Sequence, residues 1–303
     1  MSRQVDLSKL PAPQIIEELD FETLLAARKT NFINRFAADE QTYWAKRLTM
    51  ESDPVTKLLE ENTYLETLLR ARINAAAKGV MLAYAIGSDL DQLGALYGVK
   101  RLIIQPADDS TNPPTEQIGE SDDRLRQRIQ LSLEGFTTAG PKNSYLFHTL
   151  TASSAVKDAD ISSPKPGTVQ VTVLSTKGQG QADTALINTV KTTLNAEDVR
   201  PLTDTVLVQS ATIVSYSINA VLTLYPSTAE AAILQQVNAA AQAFANEKHK
   251  LGHDITLSGI YAALHQQGVQ NVKLTVPTRD LVIQPSQAGY CTAINITIGG
   301  LDE

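Results

Sequence analysis

The chain has 303 residues, 43% of them hydrophobic and 19% charged, a composition that excludes wholesale disorder and allows two or three domains. A net charge of −7 argues against general attraction to nucleic acid or anionic lipid, and a lone cysteine, Cys291, excludes an internal disulfide. No apolar run approaches the ~20 residues of a membrane span, and Met1–Leu10 has no signal-peptide core, so a soluble protein of a reducing compartment is expected.

Residues 1–12 are polar, with Pro11 and Pro13 nearby, and read as an extended arm. Helical spacing follows from Gln14 to about Ala38 and again from Tyr43 to Met50. Asp53-Pro54 is a strong start signal, an N-cap with proline at the first helical position, and the pattern from there runs to about Ala85. Leu58, Leu65, Leu69, Ile73, Ala76 and Val80 form one seam along it. A helix of about 32 residues is ~48 Å long, more than a small globule can cover. The seam therefore needs an antiparallel partner, residues 14–38 or another chain. Next comes a short punctuated helix: Gly87 breaks the pattern, Ser88 can cap it, and Asp89 and Asp91 suit its first turn. Leu90, Leu93 and Leu96 make its stripe, Gly94 lies within it, and Gly98 can end it in a left-handed conformation before Lys100-Arg101.

Residues 102–120 are polar and proline-bearing, and read as a linker and candidate hinge. Ser121-Asp122-Asp123 caps a helix from Arg124 to about Glu134, whose arginines 124, 126 and 128 read as solvated charge. A turn from Gly135 to Gly140, a helix from Pro141 to about Thr151 and strands at 156–161 and 168–174 follow. A helix over 183–195 and the loop Arg200–Asp204 lead into a strand at 205–208. A weaker echo comes after: a strand at Thr212–Leu224, helices at Thr228–Lys248 and Ser258–Gln267, and strands at Val269–Val276 and Thr292–Ile298. The expected architecture is α+β and multidomain: an N-terminal long-helix bundle region (1–101), the linker (102–120), and two small mixed α/β sheet domains (121–210 and 211–303).

Motifs of catalysis are missing: there is no HExxH, CxxC, GxSxG or Walker loop. Gly178–Asp183 lacks the third glycine of a phosphate loop and reads as a strand-to-helix turn. His249 and His253 are separated by Gly252, which breaks the helix a chelating pair needs. His148 and His265 read as packed, and Cys291, with no basic neighbour, as a small core residue. Asp108-Asp109 and Asp122-Asp123 are adjacent pairs whose side chains point apart. No catalytic, cofactor or metal residue is assigned; an enzyme would need a dispersed site such as Asp204, His253 and Asp254.

Four stretches, in order, resemble the baseplate J-like proteins of contractile phage tails. They are the helix bearing Glu66, Arg70, Arg72 and Ala76 with "IGSDLDQLGALYGVKR" (86–101), "ESDDRLRQRI" (120–129), "TAGPKNSY" (138–145) and "RPLTDTVLV" (200–208). The resemblance marks Gly87, Asp89, Leu90, Leu93, Gly94, Gly98, Arg101, Gly140, Pro201 and Asp204 as structural motif residues. It implies a non-enzymatic wedge subunit of a tail baseplate, acting as paired copies. Its N-terminal helices, through the Leu58–Val80 seam, would join other wedge subunits, and its C-terminal domains would make contacts around the ring. No cofactor, nucleic acid, membrane or small-molecule substrate is implied. The expected location is the virion tail, after synthesis in the host cytoplasm; a related contractile injection device or prophage tail is the alternative. The short stretch from Arg101 to Glu120 leaves no room for the inserted domain of longer relatives.

Overall fold

A computed structural model describes residues 5–11, 13–15, 17–135, 140–226 and 229–302. The rest of the expected N-terminal arm, Ile16, residues 136–139 of the expected turn and Thr228 lie outside them. The chain divides into two units, one up to Lys100 and one from Arg101.

The first unit is helical. Residues 14, 15 and 17–20 are not helix; α1 (Phe21–Ile33) begins only where Asp20 accepts from the Glu22 N–H at 3.1 Å and caps it. A turn over 34–36 separates it from α2 (Ala38–Arg47), so the two expected helices are present but the break falls before Ala38 rather than after it. Phe36 stacks on Trp44 at 4.8 Å and closes that corner. The start signal at Asp53-Pro54 holds: Asp53 accepts from Val55 N–H at 2.8 Å and opens α3 (Pro54–Gly79). This helix has 26 residues, shorter than expected. It stops at Gly79 because the chain folds back there: a Cβ on Gly79 would lie 2.8 Å from the Asp89 carboxylate of α4 (Gly87–Leu96). The core is thin, with Leu25, Leu48 and Leu59 as its buried apolar centre and Phe21, Phe32, Ile33 and Val55 around them.

The second unit opens with a hairpin, β1 (Ile103–Gln105) and β2 (Ile118–Gly119), extended by a bridge between Asp108 and Thr115. The stretch expected to be a linker is thus ordered. Helices α5 (Asp122–Gly135) and α6 (Lys142–Ala152) follow, then β3 (Val156–Lys165), β4 (Thr168–Ser175), α7 (Thr184–Leu194) and β5 (Thr205–Ser210). Strand β4 is central, antiparallel to β3 and parallel to β5, with α7 as the crossover that parallel pairing requires. Asp183 caps α7 by accepting from Leu186 N–H at 2.7 Å, so Gly178–Asp183 is the strand-to-helix turn that its missing glycine indicated.

One residue, Ala211, separates β5 from β6 (Thr212–Leu224). After it come α8 (Glu230–Lys248), α9 (Leu257–Leu264), β7 (Val269–Val276) and β8 (Gln287–Leu301). The second sheet again has a central strand, β6, antiparallel to β7 on one side and parallel to β8 on the other. The two lobes therefore share a plan in permuted order. In each, one helix precedes the antiparallel edge strand (α6, α9) and one follows the central strand (α7, α8). Each has its own apolar core, Val171, Val173, Val190 and Leu194 in the first and Ile218, Leu222, Val237 and Ile260 in the second.

The lobes meet at a buried joint. The Asp158 carboxylate accepts from the Leu251 N–H at 3.0 Å, and Lys157 Nζ lies 2.8 Å from His249 Nδ1. Leu174, Ala211 and Ala288 form a small apolar cluster beside them. Burial and the Lys157 charge hold His249 below its ordinary imidazole value, and burial pushes Asp158 above the usual carboxylate range. His148 is part-buried with its pKa lowered by burial, whereas His265, expected to be packed, is exposed just past the end of α9. Cys291 is half-buried against the second core.

Candidate assembly interface

The predicted seam is the place to begin. Helix α3 buries Thr56, Leu59 and Thr63 against the rest of its unit, while Leu58, Leu65, Leu69, Ile73 and Val80 are all more than half exposed and Ala76 is exposed too. Helix α1 does pair with α3, but not along the seam. At ~100° per residue the seam and the packed face lie about a third of a turn apart, so a hairpin partner covers one and leaves the other bare. An ionic clasp fixes that choice. Glu66 on α3 pairs with Arg28 of α1 and accepts from Arg70, which also reaches Glu17 at 2.6 Å. Asn74 and the Glu17 backbone exchange two more hydrogen bonds, at 2.8 and 3.2 Å. Both cations hold the Glu66 carboxyl below its usual range, Arg70 being the larger influence. The clasp orients α3, and the apolar row it turns outward also includes Tyr64 and Leu68.

The short helix α4 follows its expected design only in part. Gly87, at φ +53°, is its first residue, and Ile86 occupies the N-cap without a side-chain bond, so Ser88 does not cap. Leu90 is fully buried and Leu93 half-buried, but Leu96 is 79% exposed and leaves the stripe. The exit is as expected. Gly98 has φ +69°, its N–H donates to Ala95 O at 3.1 Å, and Val99 N–H donates to Gly94 O at 2.9 Å. These two bonds make a Schellman cap, with Val99 buried behind it.

Motifs distant in sequence meet in space within the second unit. Arg101 donates to Asp122 at 2.7 Å and to the Glu120 carbonyl, joining the end of the first stretch at 101 to the second at 120–122. Glu120, just ahead of α5, pairs through its carboxylate with Arg124 and Arg128, four and eight residues on. Arg128 is only 2% exposed. Arg124 donates to the carbonyls of Leu150 and Ser153 at 2.9 and 2.7 Å and to that of Ser154, capping the end of α6. Reading these arginines as solvated is thus corrected, Arg126 included: its side chain is only 14% exposed and pairs with exposed Asp123. The i, i+4 spacing of Glu120, Arg124 and Arg128 was the available signal.

The other corner joins Gly140 to Pro201. Gly140 has φ +62°, and a Cβ there would lie 2.7 Å from the Pro201 ring and 3.1 Å from Tyr145. Tyr145 O–H donates to Asp204 at 2.8 Å, and burial followed by this bond pushes the phenol upward. Arg200 donates to the Asp204 carbonyl and closes the loop. The residues that carried the resemblance therefore serve as rivets between elements. Asp204 is engaged by Tyr145, and Asp254 by the Ile283 N–H at 2.7 Å, so two of the three residues of a dispersed site hold the fold. Among the described residues no three His, Cys, Asp or Glu side chains are grouped to hold a metal, and no helix is long and apolar enough to cross a membrane.

Comparison with known proteins finds three family models in order along the chain. The Baseplate J-like N-terminal domain matches residues 51–108, the central domain 137–210 and the C-terminal domain 216–297. Baseplate protein J of Escherichia phage P2 is 48% identical over 299 residues, 99% of each chain. The chain belongs to the Baseplate J-like family. As a Baseplate J-like protein it is a structural subunit of a phage tail baseplate, which accounts for a molecule whose motif residues pin elements together.

Proposed function

We propose that this Baseplate J-like protein is a wedge subunit, non-enzymatic, whose α3 seam is completed by helices of other wedge subunits. The C-terminal lobes supply contacts around the baseplate ring, and the chain works as paired copies in the virion tail after assembly in the host cytoplasm. The domain plan that fits this role has residues 1–101 as the bundle region, 102–120 as a short connecting hairpin, and 121–210 and 211–303 as the two ring-facing lobes. The observation that carries the reading is the exposure of Leu58, Leu65, Leu69, Ile73 and Val80 along one face of α3. An apolar row of this length is out of keeping with a surface meant for water. Glu66, Arg28 and Arg70 support it by fixing which face is turned out. The test is Leu65→Asp with Leu69→Asp in the full chain, co-expressed with its tail-gene neighbours. The variant chain is expected to fold, with its C-terminal lobes unchanged by circular dichroism, and to be lost from wedge complexes. Normal co-purification with those neighbours would refute the bundle role.

A further inference from the structure

Strands at the edges of sheets carry unpaired N–H and C=O groups, and proteins guard them with charge, proline or shortness. The two three-stranded sheets of the second unit have four such edges. Strand β3 carries Lys157, Asp158, Asp160, Pro164 and Lys165, and β7 carries Lys273 and ends against Pro277. Strand β5 is uncharged but has only 6 residues. Strand β8 is different: 15 residues, Gln287–Leu301, with no charge and no proline, its bulges at Thr292 and Gly299 leaving the stretch Ala293–Ile298 between them regular. From Gly289 to Leu301 its backbone pairs with β6 alone among the described residues. Its inward residues Ile294, Ile296 and Ile298 pack on the core, while Ala293, Asn295 and Thr297 face outward and are exposed. On that outer face Asn295 lies opposite Asn219 of β6 and donates to its side-chain oxygen at 2.9 Å, a rung of an amide ladder that stops at the edge.

We propose that β8 is a self-pairing edge: two copies of the chain join β8 to β8, antiparallel about a two-fold axis near Asn295, into one six-stranded sheet. A second copy is the occupant that the side chains favour. Antiparallel pairing of identical strands is what a two-fold axis generates, and centring it on Asn295 sets the two copies of that amide opposite each other. The ladder then continues from Asn219 through both copies of Asn295 to the second Asn219, and no like charges are opposed. The inference gives the paired copies of the proposed function a surface, and it rests on that reading only for its setting in the baseplate.

The experiment is sedimentation equilibrium of the full chain alone, up to roughly 100 μM, a range that captures weak protein pairs. Wild type is expected to dimerise. Asn295→Lys and Asn295→Asp each oppose two like charges and are expected to weaken the dimer about tenfold or more. An equimolar mixture of the two variants is expected to restore association. A monomeric wild type, or a dimer that either variant leaves intact, would overturn the proposal. Both substitutions fall on an exposed side chain, and the melting temperature of each variant at low concentration checks folding. The Leu65→Asp, Leu69→Asp chain is expected to dimerise as wild type does, so loss of the bundle role and loss of this contact are read separately.

Discussion

The two ends of this protein spend their apolar residues differently. The C-terminal lobes put Ile218, Leu222, Val171 and Val173 at zero exposure beneath helices, whereas the N-terminal unit buries a few apolar residues in scattered places, Leu25, Leu48 and Leu59 in one and Leu90 and Val99 around α4, and leaves the longest helix bare on one side. Ordinary stability comes from the first arrangement. Under the proposed bundle role, the second gives up part of that stability in the isolated chain and holds it in reserve for association. In an assembly protein a weak core and an exposed row are thus two aspects of one design: the helix is fixed by charge on one flank so that grease can be offered on the other.

Several substitutions would break or sharpen this contrast. The largest effect is expected at the buried ion cluster: Arg128→Ala leaves the Glu120 carboxylate without its closest partner and should cost about 3–5 kcal/mol, read by urea unfolding of the second unit. Next, Leu222→Ala should cost roughly 2–5 kcal/mol, while Leu69→Ala on the exposed seam should lie within about 0.5 kcal/mol of wild type in the lone chain. Equal losses at the two sites would mean that the seam is covered within the monomer. Gly98→Val forces a β-branched residue into a left-handed cap at φ +69° and should cost about 1–3 kcal/mol, seen as a lower melting temperature confined to the first unit. An unchanged melting temperature would show that the cap tolerates side chains.

The smallest effect concerns pH. His249 has a lowered pKa from burial and the adjacent Lys157, so below the ordinary value of 6.5 the unfolded chain takes up a proton more readily than the folded one. The joint's contribution is then complete above 6.5 and declines as pH falls below it. Facing charges are Lys157, Asp158, Lys250 and His253. Asp158, raised by burial, works in the opposite sense at more acidic pH: its ionisation on raising the pH costs the folded state more than the unfolded one. Melting of wild type and Lys157→Met between pH 7.5 and 5, a range of roughly two units around the imidazole midpoint, should show a shallower loss in the variant.

Most elements were legible because long periodic segments advertise themselves; α3, α8 and β6 begin or end where cap and alternation signals place them. What stayed hidden has specific causes. The hairpin at 103–119 has strands of 3 and 2 residues, too short for any period to register. The position of the break between α1 and α2 depends on Phe32, Phe36 and Trp44 packing into one corner, a tertiary effect. The seam was visible, but which partner covered it was not, since the clasp through Glu17, Glu66 and Arg28 joins residues far apart in sequence. The arginines of α5 were misread for the opposite reason. Their spacing relative to Glu120 was in plain view, yet burial of a cation is rare enough that solvation was the natural expectation.

The single residue between β5 and β6 has a mechanical consequence. Strand β5 hands the chain to β6 through Ala211, whose N–H is held by the Val173 carbonyl at 2.9 Å, and the next amide, of Thr212, is held by Ser286 at 3.1 Å. With Leu251 tied to Asp158 alongside, the two lobes have no slack between them. A tug on the outermost strand of one would be felt across the sheet of the other without first straightening a tether, so when a tail fires, the pair should swing as a single stiff lever.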